Sequence, residues 1–138
     1  MTRPHTTHPT CRASVAALAL LLPLLAACAV AGRRCENTEL LRRPAPDGAY
    51  DAVLFGRTCD EQATSTNLSV VFEGARVSED IGNLFQAAGA PDTTALSVAW
   101  AGARRLVVRY PAELTVLKRD TTFREVRVRY EAARLSGG

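Results

Sequence analysis

Near the end of the chain, Val126, Val128 and Tyr130 alternate with Arg127, Arg129 and Glu131. A period of two is that of a β-strand, whose successive side chains point to opposite faces, so this segment buries one face and wets the other. Such alternation belongs to antiparallel sheets with one solvated side. Long amphipathic helical patterns that would build a βαβ plan are missing from the sequence, and the fold class it predicts is mainly β. Runs rich in β-branched and aromatic residues at 50–55 (YDAVLF), 67–73 (NLSVVFE), 96–100, 104–110, 113–118 and 123–133 predict about six short strands in meander spacing. That spacing suits a small single antiparallel meander or sandwich. Pro46-Asp47-Gly48 is a turn ahead of the first run: Pro presets φ, Asp can accept from its own backbone, and Gly tolerates positive φ. Residues 58–66, with Cys59, Asp60 and Glu61, read as a polar connection, and 87–94 as a loop. Between them, residues 77–86 combine helical spacing of Ile81, Leu84 and Phe85 with the breakers Gly82 and Asn83, and specify neither helix nor strand. Residues 32–46 are Arg-rich with two prolines and read as a tether, or a short helical turn over 36–42.

The first 31 residues are of another kind. A weakly basic start (Arg3, Arg12) precedes an apolar run over 15–27 that is too short to span a bilayer, the pattern of an export signal that is removed. Leu25-Ala26-Ala27-Cys28 resembles the lipobox of bacterial lipoproteins, which implies cleavage before Cys28 and a diacylglycerol on its thiol. With Ala29 next instead of Asp, the same resemblance implies the outer membrane of the cell envelope, the anchored domain facing the periplasm. Two alternatives stand beside it. Ala29-Val30-Ala31 is itself an A-x-A site, and cutting after it would release a soluble secreted protein. An uncleaved anchor helix with a buried Cys28 is opposed by Pro23 and by the shortness of the run. The expected organisation is a signal over 1–27, a tether over 28–46 and one β domain over 47–138.

Removal of 1–27 leaves 111 residues, enough for one small core, with 15 basic against 14 acidic residues. Net charge therefore favours no partner, but its distribution is uneven. Residues 28–103 carry six Arg against ten acids, while 104–138 carry nine basic residues against four. A functional reading makes Arg104, Arg105, Arg109, Arg124, Arg127 and Arg129 a basic face for anionic lipid, lipopolysaccharide or an acidic envelope protein. The structural reading, which the complementarity favours, has the halves neutralise each other across strand faces. Export and the scarcity of aromatics among the arginines argue against nucleic acid. Cys35 and Cys59 are left in an oxidising compartment and are expected to pair, closing a loop of 24 residues. Redox work would want C-x-x-C spacing, and metal binding would want further soft ligands; neither is present.

Catalysis has little to draw on. His5 and His8 both lie in the signal, so the mature chain lacks the commonest general base. Lys118 is the sole lysine and has no Ser-x-x-Lys spacing. A carboxylate pair from Asp47, Asp51, Asp60, Glu61, Glu79 and Asp80 could serve glycoside cleavage, and Asp60-Glu61 beside Glu79-Asp80 could bind calcium, but acids in turns are more often solvated. Trp100 and Tyr110 read as core aromatics. Asn67-Leu68-Ser69 matches a glycan acceptor, which has no meaning if the lipobox is right and the host bacterial. The reading is a non-catalytic binding module without cofactor, Asp60 and Glu61 being contact candidates beside the arginines. A small envelope hydrolase or metal-binding enzyme is the alternative.

Cys35, Pro46-Asp47-Gly48-Ala49-Tyr50, Cys59, Ala63-Thr64, Gly82-Asn83-Leu84-Phe85, Trp100 and Leu106-Val107-Val108-Arg109-Tyr110 together resemble a family of small uncharacterised bacterial envelope proteins. There a Ser-Pro-Asp-Gly-x-Tyr segment leads into a strand, and a Cys-Gly-Ala-Thr-Thr motif, a Gly-Asn-x-Phe and a Trp strand follow. The likeness covers about 35–110 and departs at Ala45, which replaces Ser, and after Cys59, where Asp60-Glu61-Gln62 intervenes. It implies an envelope location and a two-Cys β domain, and carries over no catalytic residue.

Overall fold

The structure, a computed structural model, describes residues 32–60 and 62–134. The signal, Cys28 and Glu61 lie outside the described residues. In chain order the strands are β1 (Cys35–Pro44), β2 (Tyr50–Cys59), β3 (Ser65–Phe72), β4 (Phe85–Ala88), β5 (Ser97–Gly102), β6 (Arg105–Pro111), β7 (Val116–Arg119), β8 (Thr122–Phe123) and β9 (Val126–Ala133). The domain is all-β, as the alternation predicts. Its described strands number nine, not six.

Two sheets share one core. Sheet A has the order β1-β2-β3-β4-β7 and sheet B the order β5-β6-β9-β8. Leu54, Leu68, Val70 and Phe85 from sheet A meet Val98, Leu106, Val108, Val126 and Val128 from sheet B in a single buried cluster. The aromatics join across it: the Phe85 ring lies 5.6 Å from Tyr110 and 5.8 Å from Tyr130.

The first correction concerns β1. Residues 35–44 are not a tether but a ten-residue strand, antiparallel to β2 and joined to it by the Pro46-Asp47-Gly48 turn. There Asp47 Oδ1 accepts the Ala49 N–H at 3.1 Å and Gly48 takes φ 70°. Strand β1 is charged because it is an edge: with no neighbour on its outer side among the described residues, charged side chains and proline suit it. Conversely, β2 is buried on both faces and loses the alternation expected of a half-wet strand.

A second correction concerns the last run, which is divided. Arg124 and Glu125 form a two-residue turn, with Arg124 at φ 51°, that folds β8 back on β9. The third is topological. After β6 the chain crosses to the edge of sheet A as β7 before returning, so β9 lies parallel to β6, which a simple meander does not allow. The connection is long enough for the crossover that parallel neighbours require.

Residues 73–83, ambiguous in sequence, form a strap over the outer face of β1, β2 and β3. Asn37 Nδ2 donates to the Ser78 and Asp80 carbonyls, and Arg57 donates to the Glu79 carbonyl. Farther along, Gly82 N donates to Asn67 Oδ1 at 3.0 Å and Asn83 N to Ser69 Oγ at 3.0 Å. The Asn83 side chain then acts as a strand residue would, its Oδ1 accepting from Val70 N at 2.9 Å and its Nδ2 donating to Val70 O at 2.7 Å. Under the strap Val53 and Phe55 are fully buried.

Cys35 and Cys59 are register partners at the open end of the β1 and β2 hairpin and form the expected disulfide. Closing a loop of this length is worth about 3 kcal/mol. Replacing both cysteines by serine is expected to lower unfolding stability by that amount in urea titration; an unchanged midpoint would show that the hairpin holds itself.

Candidate functional site

Leu106, Val108, Val126 and Val128 face the core, which turns the intervening arginines outward. Because β6 and β9 are parallel and in register, Arg105 stands opposite Arg127, Val107 opposite Arg129, and Arg109 opposite Glu131. The outer face of sheet B therefore carries four arginines in a compact block. Around Arg105, Arg127, Arg129 and Ala101 lies a shallow trough of about 400 Å³ with Val107 at its floor. Val107 is only 6% exposed although it sits on the outer face. Arginine stems cover apolar floors in this way while their guanidinium groups stay in water.

The charges are balanced at one end of the block only. Glu131 binds Arg109 Nε at 2.6 Å and Arg129 Nη2 at 2.8 Å. Neither Arg105 nor Arg127 has a carboxylate partner among the described residues; Arg105 reaches only the Ala101 carbonyl, at 3.5 Å. Neutralisation between the two halves of the chain is overturned by the same inventory. Among the described residues, a single ion pair, Arg104 with Asp47, joins them, and the others lie within one half.

Arg104 and Arg124, expected on the same face, stand elsewhere. Arg104 lies 5.1 Å from the Tyr50 ring centre, and Arg124 lies 4.9 Å from Phe72 and 5.8 Å from Phe123. Tyr50 stacks on Phe72 at 5.4 Å and donates its hydroxyl to Glu125 Oε2 at 2.5 Å. These cation–π and stacking contacts pin the β8 turn to the β2 and β3 sheet, so both arginines are packing residues. The chain matches no protein-family model, no curated protein and no solved structure.

Of the acids chosen from sequence, Asp47, Asp51 and Asp60 take structural positions. Asp60 Oδ1 accepts the Arg34 N–H at 2.9 Å, and Asp60 N donates to the Arg34 carbonyl, prolonging the hairpin beyond the disulfide. Asp51 lies under the strap, 2% exposed, bound to Arg42 Nη1 and to Gly74 N. Among the described residues, no three His, Cys, Asp or Glu side chains gather as a metal cage. Lys118 Nζ donates to the Gly82 and Asn83 carbonyls and holds the strap's end. Trp100 is half-buried with its indole N–H on the Arg43 carbonyl at 2.7 Å, and Tyr110 is buried, as core aromatics should be. Asn67 is fully buried and inaccessible to a glycan.

Titrations follow from these contacts. The Arg42 guanidinium bonded to Glu39 holds that carboxyl below its ordinary 4.5, and the Tyr50 hydroxyl does the same for Glu125. Asp47 is lowered first by the Ala49 N–H and then by Arg104. Tyr50 is raised above its ordinary 10.0 by the bond to Glu125, and burial raises Tyr130. Lowered carboxyls add stability that is present above their unfolded values and is lost as pH falls through the folded ones. Raised tyrosines add stability that is present below their unfolded value and is lost as pH rises through the folded one. The melting temperature is expected to hold through neutral pH and to fall below 4.5 and above 10.0. Circular dichroism melts across this range check it, and a profile flat at both ends would contradict the assignment.

Proposed function

We propose that the chain is a non-catalytic lipoprotein of the bacterial cell envelope, a β-sandwich module held to the outer membrane through Cys28 and binding another envelope component with the arginine face of sheet B. The observation that carries this reading is the Cys35 to Cys59 disulfide, which stands seven residues after a lipobox-type Cys28. Disulfides persist in exported proteins and are rare in a reducing cytosol, so the bridge and the signal point to one compartment independently. The likeness to small envelope proteins adds the same location. Arg105, Arg127 and Arg129 supply the binding surface, because planar guanidinium groups recognise carboxylates and phosphates through paired hydrogen bonds.

Intact mass of the protein purified from bacterial membranes, before and after reduction, tests the reading. The expected mass begins at Cys28, includes an acyl-glycerol, and rises by two hydrogens on reduction. A lipid-free mass beginning at Gly32 would replace the anchored module with a soluble secreted one.

A further inference from the structure

Like charges placed directly opposite each other on neighbouring strands repel, and a sheet normally offsets them with a facing acid. Sheet B does this where Arg109 meets Glu131 and fails to do it where Arg105 meets Arg127. Arg105 and Arg127 are register partners on adjacent strands, whose backbones run about 4.8 Å apart, so their side chains leave the same face side by side and each offers a phosphate its own guanidinium donors. Around them the face is shallow: its remaining positions on β5 are Ser97, Ala99 and Ala101, all small side chains. Among the described residues it also has no exposed aromatic or aliphatic anchor, since Val107 is covered. Protein interfaces draw most of their affinity from such anchors set in a desolvated centre, whereas an anionic bilayer needs only a plane of cations.

We infer that this face lays the β domain on an anionic phospholipid surface, with Arg105 and Arg127 taking lipid phosphates and Arg129 flanking them. The inference deepens the envelope-lipoprotein reading and rests on it in one respect, the short tether. From Cys28 to Cys35 the chain reaches roughly 25 Å when fully extended, so an anchored domain is never far from the headgroups. That closeness turns a weak surface contact into an intramolecular one.

The test uses the mature chain, residues 28–138, carrying Cys28→Ser so that neither the apolar signal nor an acyl group contributes, sedimented with vesicles of phosphatidylcholine alone or mixed with phosphatidylglycerol. Binding is expected only to the mixed vesicles and is expected to vanish in high salt, where screening shortens the reach of each charge. Arg105→Gln with Arg127→Gln is expected to weaken it roughly 30-fold, from about a fivefold factor per arginine near an anionic surface. Arg43→Gln with Arg76→Gln removes the same charge from sheet A's side of the domain and is expected to change binding far less. Because the Arg105 and Arg127 exchanges relieve repulsion, the double variant is expected to melt no lower than its parent, which separates lost binding from lost fold. Equal loss in the two double variants would reduce the effect to net charge and overturn the inference, as would a folded protein that ignores mixed vesicles. Cross-linking to an acidic protein through Arg105 and Arg127 without vesicle binding would overturn it in favour of a protein partner. If intact mass finds no lipid on Cys28 while the vesicles still bind, the anchor fails and the face stands.

Discussion

Replacing Gly82 by alanine is expected to destabilise the domain by about 3 kcal/mol. A Cβ at this position would lie 2.6 Å from the Leu68 and Phe85 carbonyl oxygens and 2.7 Å from Leu68 N. All three are backbone atoms of β3 and β4, and both side chains are fully buried. Relief therefore requires the strap to lift from the sheet, which would break the bond from Gly82 N to Asn67 Oδ1 and strain the Asn83 bonds to Val70. Gly74 gives the contrast. It has φ 70° and open space around its Cβ position, so alanine there meets only the cost of a left-handed backbone, about 1 kcal/mol. Urea unfolding of the two variants checks the difference. If Gly82→Ala is no worse than Gly74→Ala, the strap is not seated on β3 as described.

Gly82 and Asn83 also show how far the sequence could be read. As local signals they break a helix, and residues 77–86 carry no strand pattern, so the segment had no assignment. What they do is tertiary: a missing Cβ lets one backbone approach another, and an amide side chain completes a ladder that β4 is too short to fill. The same limit hid β1, whose glutamates and arginines describe an edge exposed to water and not the absence of a strand. Where burial lay on one side the alternation was legible, as in β9, and so was the outward direction of Arg127 and Arg129. That Arg127 stands opposite Arg105 was not legible, because the crossover through β7 puts β9 beside β6 and a period of two does not specify a neighbour. Arg104 and Arg124 were grouped with them by sequence position alone; the turn between β5 and β6 sets Arg104 over Tyr50, and the turn at Arg124, which no glycine or asparagine marks, carries Arg124 to Phe72 and Phe123 instead.

The other large effect lies beneath the strap. Arg42→Ala is expected to cost about 3 to 5 kcal/mol, the range for removing one partner of a buried ion pair. Asp51 is 2% exposed, and its Oδ2 depends on Arg42 Nη1 at 2.7 Å and Gly74 N at 3.0 Å, while its Oδ1 has no partner among the described residues. Without the guanidinium, the buried carboxylate keeps one backbone donor and loses its facing cation. Arg42 does more than neutralise it. The same Nη1 reaches the Ala75 carbonyl at 3.1 Å, and the rest of the group grips Glu39, so one side chain joins β1, β2 and the strap. A double variant separates charge from tethering. Arg42→Ala combined with Asp51→Asn removes the stranded charge and leaves an amide oxygen for Gly74 N, and it is expected to recover about half of the loss, the remainder being the lost grip on Ala75 and Glu39. Full recovery would mean that Arg42 serves only to balance Asp51. No recovery would mean that the strap depends on the arginine's contacts alone and that the buried carboxylate is tolerated without its cation.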